Sequence, residues 1–177
     1  MQDETRRSYL FVAIERATRW VLVAIKANKT AASAKTFLST LHKACPIRIK
    51  KLLIDNGKEF TDRLFASQGR EPSGHHEFDQ LCQALCVEHR LTKPRTSRTN
   101  GMVERFNGRV VDVLKTHRFS SSEDLEQTLL RYVTMYNPQL PQSAFKSKTP
   151  MQTMKDWHPS HSHLLHKRPY DRSGGGT

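Results

Sequence analysis

The stretch "SYLFVAIERATRWVLVAIKA" constrains the fold more than any other part of this chain. It holds two apolar runs, about Tyr9–Ile14 and Trp20–Ile25, joined by a short polar turn. Nearly continuous runs of this kind read as strands covered on both faces. "NKTAASAKTFLSTLHKAC" then switches to helical spacing, with Ala34, Phe37, Leu38 and Leu41 on one stripe and Thr30 as N-cap. "IKKLLID" returns to a strand. A strand, a helix and a strand in that order call for a crossover connection and place the chain in the α/β class.

Further along, "FASQGREPSGHHE" (65–77) is a turn-rich loop. "EFDQLCQALC" reads as a short helix with two small buried thiols, "VEHRLT" as a strand, and "KPRTSRTNG" as a basic turn. Two longer helices follow. "MVERFNGRVVDVLKTH" carries Val103, Phe106, Val110 and Leu114 on one face, and "SSSEDLEQTLLRYVTMYN" opens with a capping signal. A length of 177 residues suits one globular domain. The expected division is a folded part over 1–157 and a flexible, basic, His-rich tail over 158–177.

Lys and Arg outnumber Asp and Glu by 29 to 17, a formal charge of +12. Such an excess favours a polyanionic partner, because neutralised phosphates release counterions. Three cysteines (Cys45, Cys82, Cys86) without framework spacing suit a reducing compartment. No apolar run approaches the length of a membrane span. The expectation is a cytoplasmic, nucleoid-associated protein with no membrane and no small-molecule partner.

Two acids stand out. Asp55 closes a strand, and the Asn56–Gly57 pair after it turns the chain away, leaving the carboxylate at the rim of the sheet. Alone, it serves equally well as a turn cap. Glu104 lies early in a helix among Arg98, Arg105 and Arg109 and is, alone, a surface residue. Together, in a basic surround, two hard carboxylates are what Mg²⁺ and a phosphate backbone require.

"LLIDNGKEFT", then "HRLTKPRTSRTNGMVERFNGRV", then "LLRYVTMYNPQLPQSAFKSKTPMQ" resemble, in this order, the integrase-type catalytic core of bacterial insertion-sequence transposases. More distantly, they resemble retroviral integrase cores. The resemblance covers about residues 8–155. It implies an RNase H-like mixed sheet flanked by helices, with three acids holding two Mg²⁺ or Mn²⁺ ions for DNA strand transfer. By motif, Asp55 matches the second acid and Glu104 the third; both are assigned as catalytic and metal-binding. The first acid belongs to a strand ahead of "YLFVAI", where this chain has only "MQDETRRS". Asp3 has no strand to aim it. Glu15 ends the next strand at the opposite rim and is read as structural. The chain therefore reads as an N-terminally truncated core, lacking the first strand, catalytically defective, and able to hold at most one ion weakly.

Lys58, Lys93, Arg95, Arg98, Asn100 and Arg105 are the candidate DNA contacts, taken mostly from a run of six cations between Arg90 and Arg109. The expected partners are DNA, as element ends and target, and further copies of the chain. The alternatives are a non-catalytic DNA-binding fragment and an RNase H-like nuclease acting on an RNA–DNA hybrid.

Overall fold

The structure, a computed structural model, describes residues 7–55, 57–62, 75–92, 101–166 and 169. Its elements run β1 (Tyr9–Ile14), β2 (Val21–Lys26), α1 (Ala31–Ala44), β3 (Lys51–Ile54), α2 (Glu77–Ala84), β4 (Glu88–Leu91), α3 (Gly101–Thr116), α4 (Ser122–Gln139) and α5 (Pro150–His161). The described residues fall into two compact units. One lies within Met1–Phe11, Ala24–Ala44 and Ile49–Met102, the other within Val12–Val23, Cys45–Arg48 and Val103–Thr177. Neither is a continuous segment, so no linker marks the division. No described helix is long and apolar enough to cross a membrane.

In the first unit, Thr30 caps α1 as expected, its hydroxyl accepting the Ser33 N–H at 3.2 Å. The predicted stripe of Ala34, Phe37, Leu38 and Leu41 is buried. Strands β3 and β4 pair in parallel, Lys51 opposite Glu88 through Ile54 opposite Leu91, with α2 in the intervening connection. β3 is not covered on both faces: Lys51 and Leu53 are exposed, Leu53 to 49%. This strand alternates, and one of its faces meets solvent. β1 and β2 pair with each other in a second two-stranded sheet. Their burial is also thinner than their sequences suggest, Phe11 being the one fully buried residue of β1.

The second unit is built on α3, α4 and α5. Phe106 and Val110 of α3, with Leu129, Val133 and Tyr136 of α4 and Met154 of α5, are buried, and Phe106 meets Tyr136 edge to face at 5.3 Å. Ser121 caps α4 by accepting the Asp124 N–H at 3.1 Å. Thr149 and Gln152 form a reciprocal capping box that starts α5. Asn137 bridges α4 to β2. Its Oδ1 accepts the Val21 N–H and its Nδ2 donates to the Val21 carbonyl, both at 2.8 Å. Val21 is 1% exposed, so neither backbone group has water as an alternative.

The flexible tail expected from 158 onward is corrected over its first part. Helix α5 runs through His158 to His161, and a 3₁₀ turn (Ser162–Leu164) follows. Leu165 then bridges to Ile47, while Arg48 N–H donates to Leu164 C=O (2.7 Å) and His166 N–H to Pro46 C=O (2.8 Å). Backbone groups of Leu164, Leu165 and His166 supply an anchor that the basic, His-rich composition concealed. Of 167–177, all but residue 169 lie outside the described residues.

Replacing Asn137 with Ala strips both partners from Val21 in one step. The expected cost is about 1–3 kcal/mol in urea denaturation, with the midpoint moved and the slope unchanged; a loss near zero contradicts the bridging role.

Candidate metal and nucleic-acid site

The ladder between β3 and β4 ends in a bond from Thr92 N–H to Ile54 C=O at 2.9 Å, fixing the last strand residue before Asp55. Asp55 thus stands at the carboxyl end of a parallel strand, and its side chain is exposed. Among the described residues, its carboxylate takes one hydrogen bond, Gly57 N–H to Oδ1 at 3.3 Å, which closes an Asx-type turn. Phe60 N–H then donates to Gly57 C=O at 3.0 Å. Among the described residues, the acid is held by its own turn.

Four side chains that the sequence did not assign to the site fasten this turn. Glu59 is buried, and Lys29 Nζ, from the segment leading into α1, lies 2.9 Å from Glu59 Oε1. The Glu59 carboxylate raises the Lys29 ammonium above the usual lysine range; Asp55 adds to this and burial opposes it. His76 caps α2, its Nδ1 accepting the Phe78 N–H at 3.3 Å, while its Nε2 is 3.2 Å from the Lys58 carbonyl. An acceptor at Nδ1 and a donor at Nε2 select one neutral tautomer. Phe60 meets Phe11 and Phe78 edge-on at 6.1 and 5.3 Å, burying the far side of the turn. No periodic signal marks Glu59 or Lys29: a buried acid in a polar turn looks like any surface acid.

In the second unit, Glu104 is exposed in the first turn of α3, where the helix dipole favours a carboxylate. Arg105 follows it, also exposed. Of the predicted DNA contacts, Lys58 lies in the turn after Asp55 and Arg105 on α3, while Lys93, Arg95, Arg98 and Asn100 lie outside the described residues.

Arg90 and Arg109 of the basic run have side-chain partners among the described residues. Arg90 Nε donates to Glu88 Oε1 at 2.6 Å, and Arg109 donates to Gln142 Oε1 at 3.4 Å. Buried Gln142 also accepts the Tyr136 hydroxyl at 3.2 Å, and burial pushes that phenol above its ordinary range. Arg90 and Arg109 therefore serve the fold as well as the surface charge.

The donor chemistry fits a hard divalent cation. Asp55 and Glu104 offer exposed carboxylate oxygens, the ligands Mg²⁺ takes while keeping several of its waters. Glu15 offers none. Its Oε1 accepts Ala17 N–H (2.9 Å) and its Oε2 accepts Thr18 N–H (2.6 Å) and Thr18 Oγ1–H (2.7 Å), so it caps the turn between β1 and β2. Among the described residues, no group of three or more His, Cys, Asp or Glu is set to hold a metal. The two thiols read as one buried helical pair are separated: Cys82 is buried in α2, whereas Cys86 lies beyond the helix end, exposed, at φ 54°.

Comparison with known proteins matches residues 1–97 and 85–150 to two sequence profiles, each described as an integrase core domain. The chain is 26% identical over 110 residues to the retrovirus-related Pol polyprotein from transposon TNT 1-94 of Nicotiana tabacum, covering 61% of this chain and 7% of that protein. It is 27% identical over 146 residues to the Caenorhabditis elegans protein K02A2.6, covering 80% of this chain and 10% of that one. It thus spans a tenth or less of the length of these curated relatives. Among solved structures, the catalytic core domain of BIV integrase superposes with a TM-score of 0.62 at 18% identity, over 87% of this chain and 90% of that one. A simian T-cell lymphotropic virus intasome, solved in complex with PP2A regulatory subunit B56 gamma, gives 0.60 at 19% identity, over 95% and 53%. These likenesses show an RNase H-like fold of the integrase-core kind.

His76 generates a direct test of the turn. His76→Ala removes the α2 cap and the tie to Lys58, at an expected cost of about 0.5–2 kcal/mol. His76→Asn keeps a capping oxygen and is expected to recover most of that in the same denaturation experiment. Equal losses in the two variants contradict the capping role.

Proposed function

Because the chain belongs to the integrase core domain family, we propose that it is the DNA-handling core of a mobile element's integrase or transposase, with Asp55 and Glu104 each serving as a carboxylate ligand for a divalent cation when DNA is bound. The observation that carries this reading is the position of Asp55. An exposed acid at the carboxyl end of a parallel strand, bonded among the described residues to its own turn, lies within the segment that matches the integrase core. Glu104 and Arg105 occupy the corresponding motif on α3. Oxygen-ligated Mg²⁺ or Mn²⁺ is the family's cofactor, and when bound such an ion supplies Lewis acidity to a phosphodiester oxygen.

The chain's own residues have separate tasks in this account. The Asx-type turn keeps the Asp55 carboxylate facing solvent, where a hydrated cation can reach it. Lys58, Lys93, Arg95, Arg98, Asn100 and Arg105 hold the phosphate backbone alongside and fix its register without reading sequence. The motif assigns two acids within these residues, which suit weak binding of a single ion; an in-line displacement between two ions needs a further carboxylate shared by both. DNA binding does not depend on that further carboxylate, because it draws on charge rather than on the acids. Assembly into oligomers is proposed on the same family grounds.

Fluorescence anisotropy with labelled duplex DNA, run beside a nicking and joining assay in Mg²⁺ and Mn²⁺, tests both halves. Binding is expected to weaken steeply with salt, and Lys58→Ala or Arg105→Ala should each lower the magnitude of the log–log salt slope by about 1. Salt-independent binding, or none, overturns the DNA reading. Joined products that vanish in Asp55→Asn and Glu104→Gln overturn the single-ion reading and make the chain an active enzyme.

A further inference from the structure

Glu59 is an anomaly in this fold: an acid in a polar turn whose side chain is 4% exposed. Its Oε1 has no hydrogen-bonding partner among the described residues apart from the ammonium of Lys29, whose own side chain is 48% exposed. A buried ion pair of this kind is weak as a source of stability, since desolvation offsets most of the attraction and an apolar pair of the same volume does as well or better. What such a pair supplies is a defined geometry. The question is which group it fixes.

Gly57 answers it. A Cβ built on this glycine lies 2.6 Å from Glu59 Oε1 and 2.7 Å from both Cδ and Oε2, closer than real side chains approach. The Gly57 backbone therefore rests directly on the Glu59 carboxylate, and that carboxylate is tethered to Lys29. The same Gly57 presents the N–H that Asp55 Oδ1 accepts. Lys29, Glu59, Gly57 and Asp55 form one mechanical series running from the start of α1 to the end of β3.

We propose that the Lys29–Glu59 ion pair is a positioning device for Asp55, setting the Gly57 amide so that the acid's carboxylate is held ready for a divalent cation. This rests on the reading of Asp55 as an ion ligand. Glu59 is no ligand itself, because Gly57 covers its carboxylate and Lys29 neutralises it. The two acids of "DNGKEF" thus divide the work, Asp55 facing the ion and Glu59 fixing Asp55 from beneath. The pair also explains why glycine stands at position 57: any side chain there would push Glu59 away from Lys29.

The test measures Mn²⁺ affinity of the whole chain by water-proton relaxation, so it needs no turnover. Gly57→Ala and Glu59→Asp leave every charge in place and disturb only the geometry, and each is expected to weaken Mn²⁺ binding about tenfold to a hundredfold. Asn137→Ala, a destabilising change in the other unit, is expected to leave the affinity of the folded chain unchanged. Asp55→Asn is the reference. If it abolishes binding while Gly57→Ala and Glu59→Asp bind like the parent chain, the positioning role is overturned and Asp55 stands as a ligand. If Asp55→Asn itself binds like the parent, the underlying reading falls and takes this inference with it. If one geometric variant does not fold, the other decides, because both act on the same contact.

Discussion

A carboxylate sealed beneath a glycine and neutralised by one lysine controls the most informative turn in this protein. Glu59 cannot swing outward without leaving Lys29, and Gly57 cannot move inward without striking Glu59. His76 adds a second fastening from the start of α2, and Phe60 closes the buried side between Phe11 and Phe78. The turn is thus fixed by an ion pair, an imidazole and an aromatic contact, while the one acid it presents to solvent is bonded only to its own turn among the described residues. Rigid support beneath an exposed ligand group is what a metal-binding carboxylate needs, since affinity depends on how little the ligand must reorganise.

The second unit shows the same economy in neutral form. Asn137 satisfies both backbone groups of Val21, and Gln142 collects the Tyr136 hydroxyl and the Arg109 guanidinium on one buried oxygen. These amides do what additional strands would otherwise do, pairing backbone and side-chain groups that burial has removed from water. They lie in the motif "YNPQLPQ", whose resemblance to integrase cores here acquires a physical basis. The helix bearing Glu104 is anchored at Phe106 and Val110, and the anchored segment carries its acid outward on the first turn.

Much of the fold was legible in the sequence because periodicity reports burial. The stripe of α1, the Phe106 and Val110 positions of α3, the cap at Thr30 and the capping signal that opens α4 followed from spacing and side-chain chemistry. Three features were not legible. The half-open character of β3 was hidden because Leu53 is as apolar as a covered residue. The anchoring of Leu165 depends on Ile47, more than a hundred positions away, which composition cannot show. The burial of Glu59 depends on a lysine thirty positions earlier in the chain. Asp55 and Glu104 were singled out by motif, and the turn after Asp55 by its Asn-Gly pair, whereas Lys29 and Glu59 beneath that turn carry no local signature.

The central claim, that the turn after β3 presents Asp55 as a ligand for a divalent cation, is tested most directly by nuclear magnetic resonance of the ¹⁵N-labelled chain with substoichiometric Mn²⁺. Paramagnetic broadening fades steeply with distance, so an ion held by Asp55 must erase the amide signal of Gly57, which donates to that carboxylate, early in the titration. Loss of the Gly57 signal in the parent chain and its persistence in Asp55→Asn is the predicted result. A Gly57 signal that persists in the parent chain, or that fades equally in Asp55→Asn, contradicts the account.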